Sequence, residues 1–200
     1  MNSPPHTNPK TIRRAVLSER ANTPPATVEQ LSKEIEYRLT SMECYKRARH
    51  KLFYVSFKNE VNTHNIIKSQ LEQDGCVAVP KTDISNRALI IYQINTWEDL
   101  APGAYGILEP KGQCKQTEPS KIDLVLVPGS VFDKRGGRYG YGGGFYDKFL
   151  AEEAPQAIRI GLAFSFQLKD RIPLEPHDQL MDIIVTDREI LRISSKAVRS

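Results

Sequence analysis

The sequence predicts one α/β domain built in three layers, an α/β/α sandwich on a mainly parallel (mixed) sheet. Three observations predict it. From residue 50 to residue 185, short β-branched or aliphatic runs alternate with segments of helical periodicity. One run, Leu124-Val-Leu-Val127, is apolar without alternation, as a strand covered on both faces is. The chain has 200 residues, 40% hydrophobic and 26% charged, which suits a single globular domain.

The elements follow in order. Residues 1–8 are polar and proline-rich and read as disordered, residues 9–194 as the single domain, and residues 195–200 as a frayed basic tail. Lys10 to Arg20 has helical spacing, with Ile12, Val16 and Leu17 on one side and Lys10, Arg13 and Arg14 basic. By composition alone those cations form a solvated face. Asn22-Thr-Pro-Pro-Ala26 breaks this helix. Thr27 is placed to cap a second one, whose stripe is Val28, Leu31, Ile35 and Leu39. Lys51 to Phe57 has strand composition. Glu60 follows its carboxyl end, where open α/β sheets gather ligands, although an ordinary turn carboxylate also fits. Thr63 is placed to cap a helix carrying Ile66, Ile67 and Leu71, which Gly75 closes. Cys76 to Val79, ending at Pro80, and Leu89 to Ile94 are strands. Trp97 reads as a packing residue, and Lys111 to Lys121 as a polar loop. After Ala154-Pro155, Ile158 to Phe164 is a strand, Phe166 to Ile172 a short helix and Ile183 to Val185 the last strand.

Several function classes are set aside. No apolar run approaches the roughly 18 residues of a membrane span, and Met1 to Pro9 lacks the apolar core of a signal peptide, so a cytoplasmic protein is expected. Cys44, Cys76 and Cys114 form no CxxC, and His6, His50, His64 and His177 have no metal-ligand spacing. The net charge of +4 suits an anionic small molecule as well as nucleic acid. Aliphatic, buried strands speak against an RNA-stacking surface, so no nucleic acid is expected, nor a membrane. A sugar-phosphate isomerase on a similar scaffold stays open, since fold does not fix function.

The chemistry concentrates after Val127. Pro128-Gly129 ends the strand, and Gly136, Gly137, Gly140, Gly142, Gly143 and Gly144 follow, interleaved with Arg135, Arg138, Tyr141 and Tyr146. Phe145, Phe149 and Leu150 then give helical spacing, with Asp147 in the first turn. Strand, glycine loop and helix start suit an anion: glycines admit backbone N–H groups, and arginine supplies forked donors. The Walker pattern is absent, and Phe145 occupies the third glycine of the dinucleotide pattern. A flexible surface loop is the plain alternative.

Pro128-Gly-Ser-Val-Phe-Asp133, followed by Gly137-Arg-Tyr-Gly-Tyr-Gly-Gly-Gly-Phe-Tyr-Asp147, resembles the signature of the 5-formyltetrahydrofolate cyclo-ligase (5,10-methenyltetrahydrofolate synthetase) family. Gly103-Ala-Tyr-Gly-Ile-Leu-Glu-Pro110 and His177-Asp178 resemble further family segments. The resemblance implies an α/β/α fold and an ATP- and Mg²⁺-dependent cyclisation of 5-formyltetrahydrofolate by a monomer. It implies that Lys10 and Arg14, with Arg138, Tyr139, Gly140, Tyr141, Gly142, Gly143, Gly144, Phe145 and Tyr146, hold ATP, and that Arg138 and Tyr146 are catalytic. Val55, Glu60, Tyr105 and the stretch Tyr141 to Phe145 would meet the folate, and Asp147 and Asp178 would ligate Mg²⁺. Ser130-Val131, Tyr139 and Phe145 depart from the commoner family residues, which touches fine substrate contacts rather than the reaction class.

Overall fold

The structure, a computed structural model, describes residues 8–73, 76–103 and 106–193, with the Cys76 side chain outside that set. Helix α1 (Pro9–Asn22) begins at Asn8, whose side chain accepts from the Lys10 N–H. Asn8 is therefore the N-cap of the domain's first helix, while residues 1–7 and 194–200 lie outside the described residues. Helix α2 (Pro25–Ser41) starts earlier than the expected Thr27 cap. Pro24 is its N-cap and Pro25 its first residue, since proline is preset for a first turn that needs no donor. Ile35 and Leu39 are fully buried, with Val28 and Leu31 packed on the same cluster. The short α3 (Glu43–Arg47) follows.

Strand β1 (His50–Leu52) is shorter than expected. The ladder stops at Leu52, and Phe53, Tyr54 and Val55 are buried without continuing it, so their apolar character serves the core rather than pairing. Helix α4 (His64–Glu72) does have Thr63 at its N-cap, but the hydroxyl donates to the Tyr54 carbonyl at 2.7 Å, and Asn62 takes the His64 N–H instead. Gly75 lies outside the described residues.

Strand β2 (Cys76–Asp83) runs straight through Pro80, which was expected to end it, and pairs antiparallel with β3 (Ala88–Ile94). The Ala78 carbonyl points toward the β1 side, where it accepts from the Phe53 N–H at 2.9 Å. Pro80 shares that parity but lies beyond the last β1 pair, Leu52 with Ala78, so its missing donor faces no partner strand.

The remaining strands are β4 (Leu100–Pro102), β5 (Leu108–Pro110), β6 (Lys115–Gln116) and β7 (Leu124–Val127). They continue with β8 (Val131–Asp133), β9 (Arg138–Tyr139), β10 (Ile158–Leu162), β11 (Leu168–Lys169), β12 (Ile183–Val185) and β13 (Ile190–Arg192). Between β9 and β10, helix α5 (Phe145–Lys148) passes into a π-helical turn, Phe149–Glu153. The expected helix over Phe166 to Ile172 is instead a 3₁₀ turn, Ser165–Gln167, followed by β11 paired parallel to β8. Buried Gln167 explains this: its amide donates to the Gly129 and Ser130 carbonyls and pins the segment along the chain that leaves β7. β6 lies within the expected polar loop, and β13 carried no clear signal.

Among the described residues, eight strands form one sheet in the order β13-β12-β10-β7-β1-β2-β3-β6. The centre is parallel and both edges are antiparallel, the mixed sheet expected. All four residues of central β7 are fully buried. Leu124 and Leu126 face α2, α3 and α4, while Val125 and Val127 face the layer of Phe149, Leu150 and Ala154. Each such side chain contributes roughly 1.5–3 kcal/mol of burial. No helix among the described residues is long and apolar enough to cross a membrane.

Candidate active site

The glycine-rich region divides into two parts. Its first half is a hairpin, β8 and β9, in which Val131 pairs with Tyr139 and Phe132 with Arg138. This corrects the expectation of one loop from strand to helix. Asp133 makes the hairpin possible. Its fully buried carboxylate accepts the N–H groups of Arg135, Gly137 and Ile172 at 2.9, 2.8 and 3.0 Å and the Arg135 guanidinium at 2.7 Å. Burial opposes its ionisation, but the Ile172 N–H, the Arg135 guanidinium and the other N–H groups outweigh it, holding the carboxyl below its usual value. Gly136 turns with φ +91°, where a Cβ would lie 2.6 Å from the Met181 carbonyl. The second half, Gly140 to Gly144, is the true loop. It ends on Gly144 at φ +68°, the left-handed N-cap of α5.

This loop forms one wall of a cleft of about 970 Å³. The cleft opens beyond the carboxyl ends of β1 and β7, the rim where ligands of such sheets collect. Arg138 enters it from β9 and is buried. Its Nη2 donates to both Asp147 carboxylate oxygens, at 2.9 and 2.8 Å, and its Nη1 donates to the Pro128 carbonyl at 3.2 Å. Its Nε is buried with no partner among the described residues. Asp147 also accepts the Gln179 N–H at 3.1 Å. Asp178 lines the same cleft and accepts the Glu175 N–H at 2.8 Å. Among the described residues, no three His, Cys, Asp or Glu side chains form a metal cluster, and Asp147 and Asp178 share the lining of this one cleft.

Glu60 lines the cleft and touches the loop: its carboxylate accepts the Phe57 N–H at 2.9 Å through Oε2 and the Tyr141 hydroxyl through Oε1. Val55 lies beside it in the lining. Tyr146 lines the cleft as well. Burial first, and the Glu60 charge second, push its phenol well above the ordinary range against the opposing pull of Arg138, so it remains a donor at neutral pH. Tyr139 is buried to 7% exposure, lines the cleft and donates to the Pro173 carbonyl at 2.8 Å. Gly140, Gly142, Gly143, Gly144 and Phe145 complete the loop wall. Tyr105 lies outside the described residues.

The structure divides the cations of α1 between two hollows that Arg13 borders in common. Lys10 and Arg14 are exposed and line a shallow depression on its outer side. Arg13 and Arg20 line the cleft itself. Arg13 lies over the Tyr139 ring at 5.6 Å, and Arg13 and Arg20 each have a buried Nε with no partner among the described residues. Arg13, Val16 and Arg20 follow i, i+3, i+7 spacing, and Val16 packs on Val131, Tyr139 and Ile172. The apolar residue at Val16 was thus the sequence signal for which cations turn inward. Trp97 packs against His64 at 5.0 Å, with the Lys68 ammonium 4.8 Å from its ring, which is the packing role expected.

Residues 6–187 match the model of the 5-formyltetrahydrofolate cyclo-ligase family. The chain is 31% identical over 177 residues to the 5-formyltetrahydrofolate cyclo-ligase of Saccharomyces cerevisiae, covering 77% of this chain and 83% of the relative. It is 29% identical over 178 residues to the Haemophilus influenzae protein of the same name, covering 87% of this chain and 95% of that one. The NMR structure of Aquifex aeolicus 5,10-methenyltetrahydrofolate synthetase superposes with a TM-score of 0.83 at 28% identity, over 93% of both chains. A 5,10-methenyltetrahydrofolate synthetase from Mycoplasma pneumoniae superposes with a TM-score of 0.72 at 23% identity, over 90% of this chain and 99% of that one, and supports the fold.

Proposed function

The chain belongs to the 5-formyltetrahydrofolate cyclo-ligase family, and from that premise we propose that it closes 5-formyltetrahydrofolate to 5,10-methenyltetrahydrofolate at the expense of ATP, as a cytoplasmic monomer. The observation that carries the reading is the cleft itself. It brings Glu60, Tyr146, the Gly140 to Gly144 loop and the Arg138–Asp147 pair to one cavity. A donor-rich loop with a recognition carboxylate joined to it suits a reaction in which a phosphoryl group meets a pterin.

The chemistry sets the tasks. A formamide oxygen is a poor leaving group. Transfer of the γ-phosphoryl group to it gives ADP and an activated carbon. The N10 lone pair then attacks that carbon, and the oxygen departs with phosphate. The protein supplies position and charge rather than a covalent nucleophile. Arg138 and Arg13 offer guanidinium groups with donor capacity left unused among the described residues. The Tyr146 phenol, held protonated, donates toward developing negative charge. Glu60 accepts N–H groups of the pterin. Phe145, Val55 and the glycine backbone exclude water around the reacting atoms.

The donor set fits Mg²⁺, which takes hard oxygen ligands, needs few from protein and keeps several waters. Asp147 and Asp178, two carboxylates lining one cleft, would hold it. When bound, the ion neutralises phosphate charge. Lys10 and Arg14 stand at the outer face of α1, within the same helix as Arg13, as further cations for the phosphate tail.

The test is direct. Purified protein mixed with 5-formyltetrahydrofolate, ATP and Mg²⁺ gains the absorbance of the methenyl product. A flat trace at every nucleotide and metal concentration overturns the reading.

A further inference from the structure

Arg20 has no role in the reading above, yet it is one of the more constrained side chains in the cleft. It is 6% exposed, two turns along α1 from Arg13. Its Nη1 donates to the Tyr141 hydroxyl at 2.9 Å, and that hydroxyl donates to Glu60. The Arg20 carbonyl meanwhile accepts from the Asn59 side chain at 2.6 Å, next to Glu60 in the chain. Three segments distant in sequence, α1, the loop after Phe57 and the glycine loop, therefore meet at one chain of hydrogen bonds.

We infer that Arg20 is a positioning residue for folate recognition: acting through the Tyr141 hydroxyl, it fixes the Glu60 carboxylate in the cleft. The inference rests on the cyclo-ligase reading and deepens it. Two physical points support it. Tyr141 stands between Gly140 and Gly142, so its own backbone restrains it weakly, whereas Arg20 is carried by a helix anchored through buried Val16. Rigidity enters the chain from Arg20. Direction enters from it as well. A guanidinium only donates, so the phenol oxygen must accept, and its proton is left for Glu60. Glu60 is then held as an acceptor at Oε1 and Oε2 together, and its remaining lone pairs are oriented for the pterin N–H groups.

The experiment uses Arg20→Gln, Arg20→Lys and Tyr141→Phe, with steady-state kinetics in both substrates and a thermal melt of each variant. Glutamine is able to accept as well as donate, so the order of the chain is lost. The expected result is a rise of about tenfold in KM for 5-formyltetrahydrofolate, the scale of one charge-assisted hydrogen bond. In Arg20→Gln the kcat stays within a factor of two, and KM for ATP is unchanged. Lysine, which only donates, restores most of the affinity. In the Tyr141→Phe background, Arg20→Gln adds nothing further, because the chain is already cut. An unchanged folate KM, an equal rise in both KM values, additive effects, or a lysine variant no better than glutamine with a matching loss of folded protein overturns the inference. A wild-type chain without turnover overturns the functional reading beneath it, which is a distinct result from an active wild type with an indifferent Arg20.

Discussion

Arg138 holds Asp147 across the whole glycine loop: its Nη2 lies 2.9 Å from one carboxylate oxygen and 2.8 Å from the other. The arginine side chain is 3% exposed and the aspartate 17%. The loop from Gly140 to Gly144 is thereby closed at its base by an ion pair, with its open end toward Glu60. The guanidinium and the carboxylate neutralise each other at the base of the loop.

That pairing sets the first prediction. Arg138→Ala lowers kcat/KM about 10²-fold, the scale of one lost transition-state donor, and Arg138→Lys recovers little because the forked geometry is gone. Asp147→Asn lowers turnover at least as far while native circular dichroism persists, since the change is nearly isosteric. The double variant is no worse than the poorer single one, because each group acts through the other. Steady-state kinetics of the cycle checks this, and full additivity contradicts it.

Asp178 differs: among the described residues it accepts the Glu175 N–H, and the His177 imidazole stands 4.0 Å away in place of an arginine. Asp178→Asn therefore raises the Mg²⁺ concentration needed for half-maximal rate by about tenfold, yet leaves the rate at saturating metal within a few-fold. A metal titration reads both numbers. An unchanged requirement removes Asp178 from the metal site.

Glu60→Gln keeps an acceptor at Oε1 but loses the charge and presents an NH₂ where the carboxylate accepted. Calorimetry of the folate substrate shows a loss of roughly 10- to 100-fold in affinity, while ATP affinity survives. Intact folate binding returns Glu60 to the class of ordinary turn carboxylates.

The fourth prediction concerns stability. The Asp133 pKa is depressed in the fold. Its contribution is therefore complete above the unfolded-chain value of about 3.9 and is lost as the pH falls through the lower folded value. Asp133→Asn costs roughly 2–3 kcal/mol at pH 7, the scale of lost charge-assisted bonds. The variant also loses less further stability than the wild type between pH 5 and pH 2.5. Urea denaturation at several pH values measures it; parallel curves for the two proteins contradict it.

Much of this was legible in the sequence because it is local. The unbroken apolar run Leu124 to Val127 marked the sheet centre, and the glycines beside Arg138 and Asp147 marked the site. The co-location of Asp147 and Asp178 on one cleft follows from strand ends converging on one rim. What was not legible depends on distant partners. Asp133 looks like any turn aspartate until Ile172, far along the chain, donates to it, so the hairpin it organises was read as loop. Pro80 looked like a strand end because the absence of a neighbour at that point of β2 is a fact of the sheet, not of the segment. That Arg13 and Arg20 also reach the cleft was not read, because it turns on which side of α1 is buried, and Val16, with Ile12 beside it in the packing, carried that information.

The central claim is that ATP activates the formyl oxygen within the Arg138–Asp147 cleft, and one measurement tests it most directly. 5-Formyltetrahydrofolate labelled with ¹⁸O in its formyl group is turned over with ATP and Mg²⁺, and the released phosphate is analysed by mass spectrometry. The account predicts one labelled oxygen in the phosphate for each methenyl product formed, with Arg138→Ala slowing label transfer and cyclisation together. Unlabelled phosphate, with the ¹⁸O recovered in water, would contradict it.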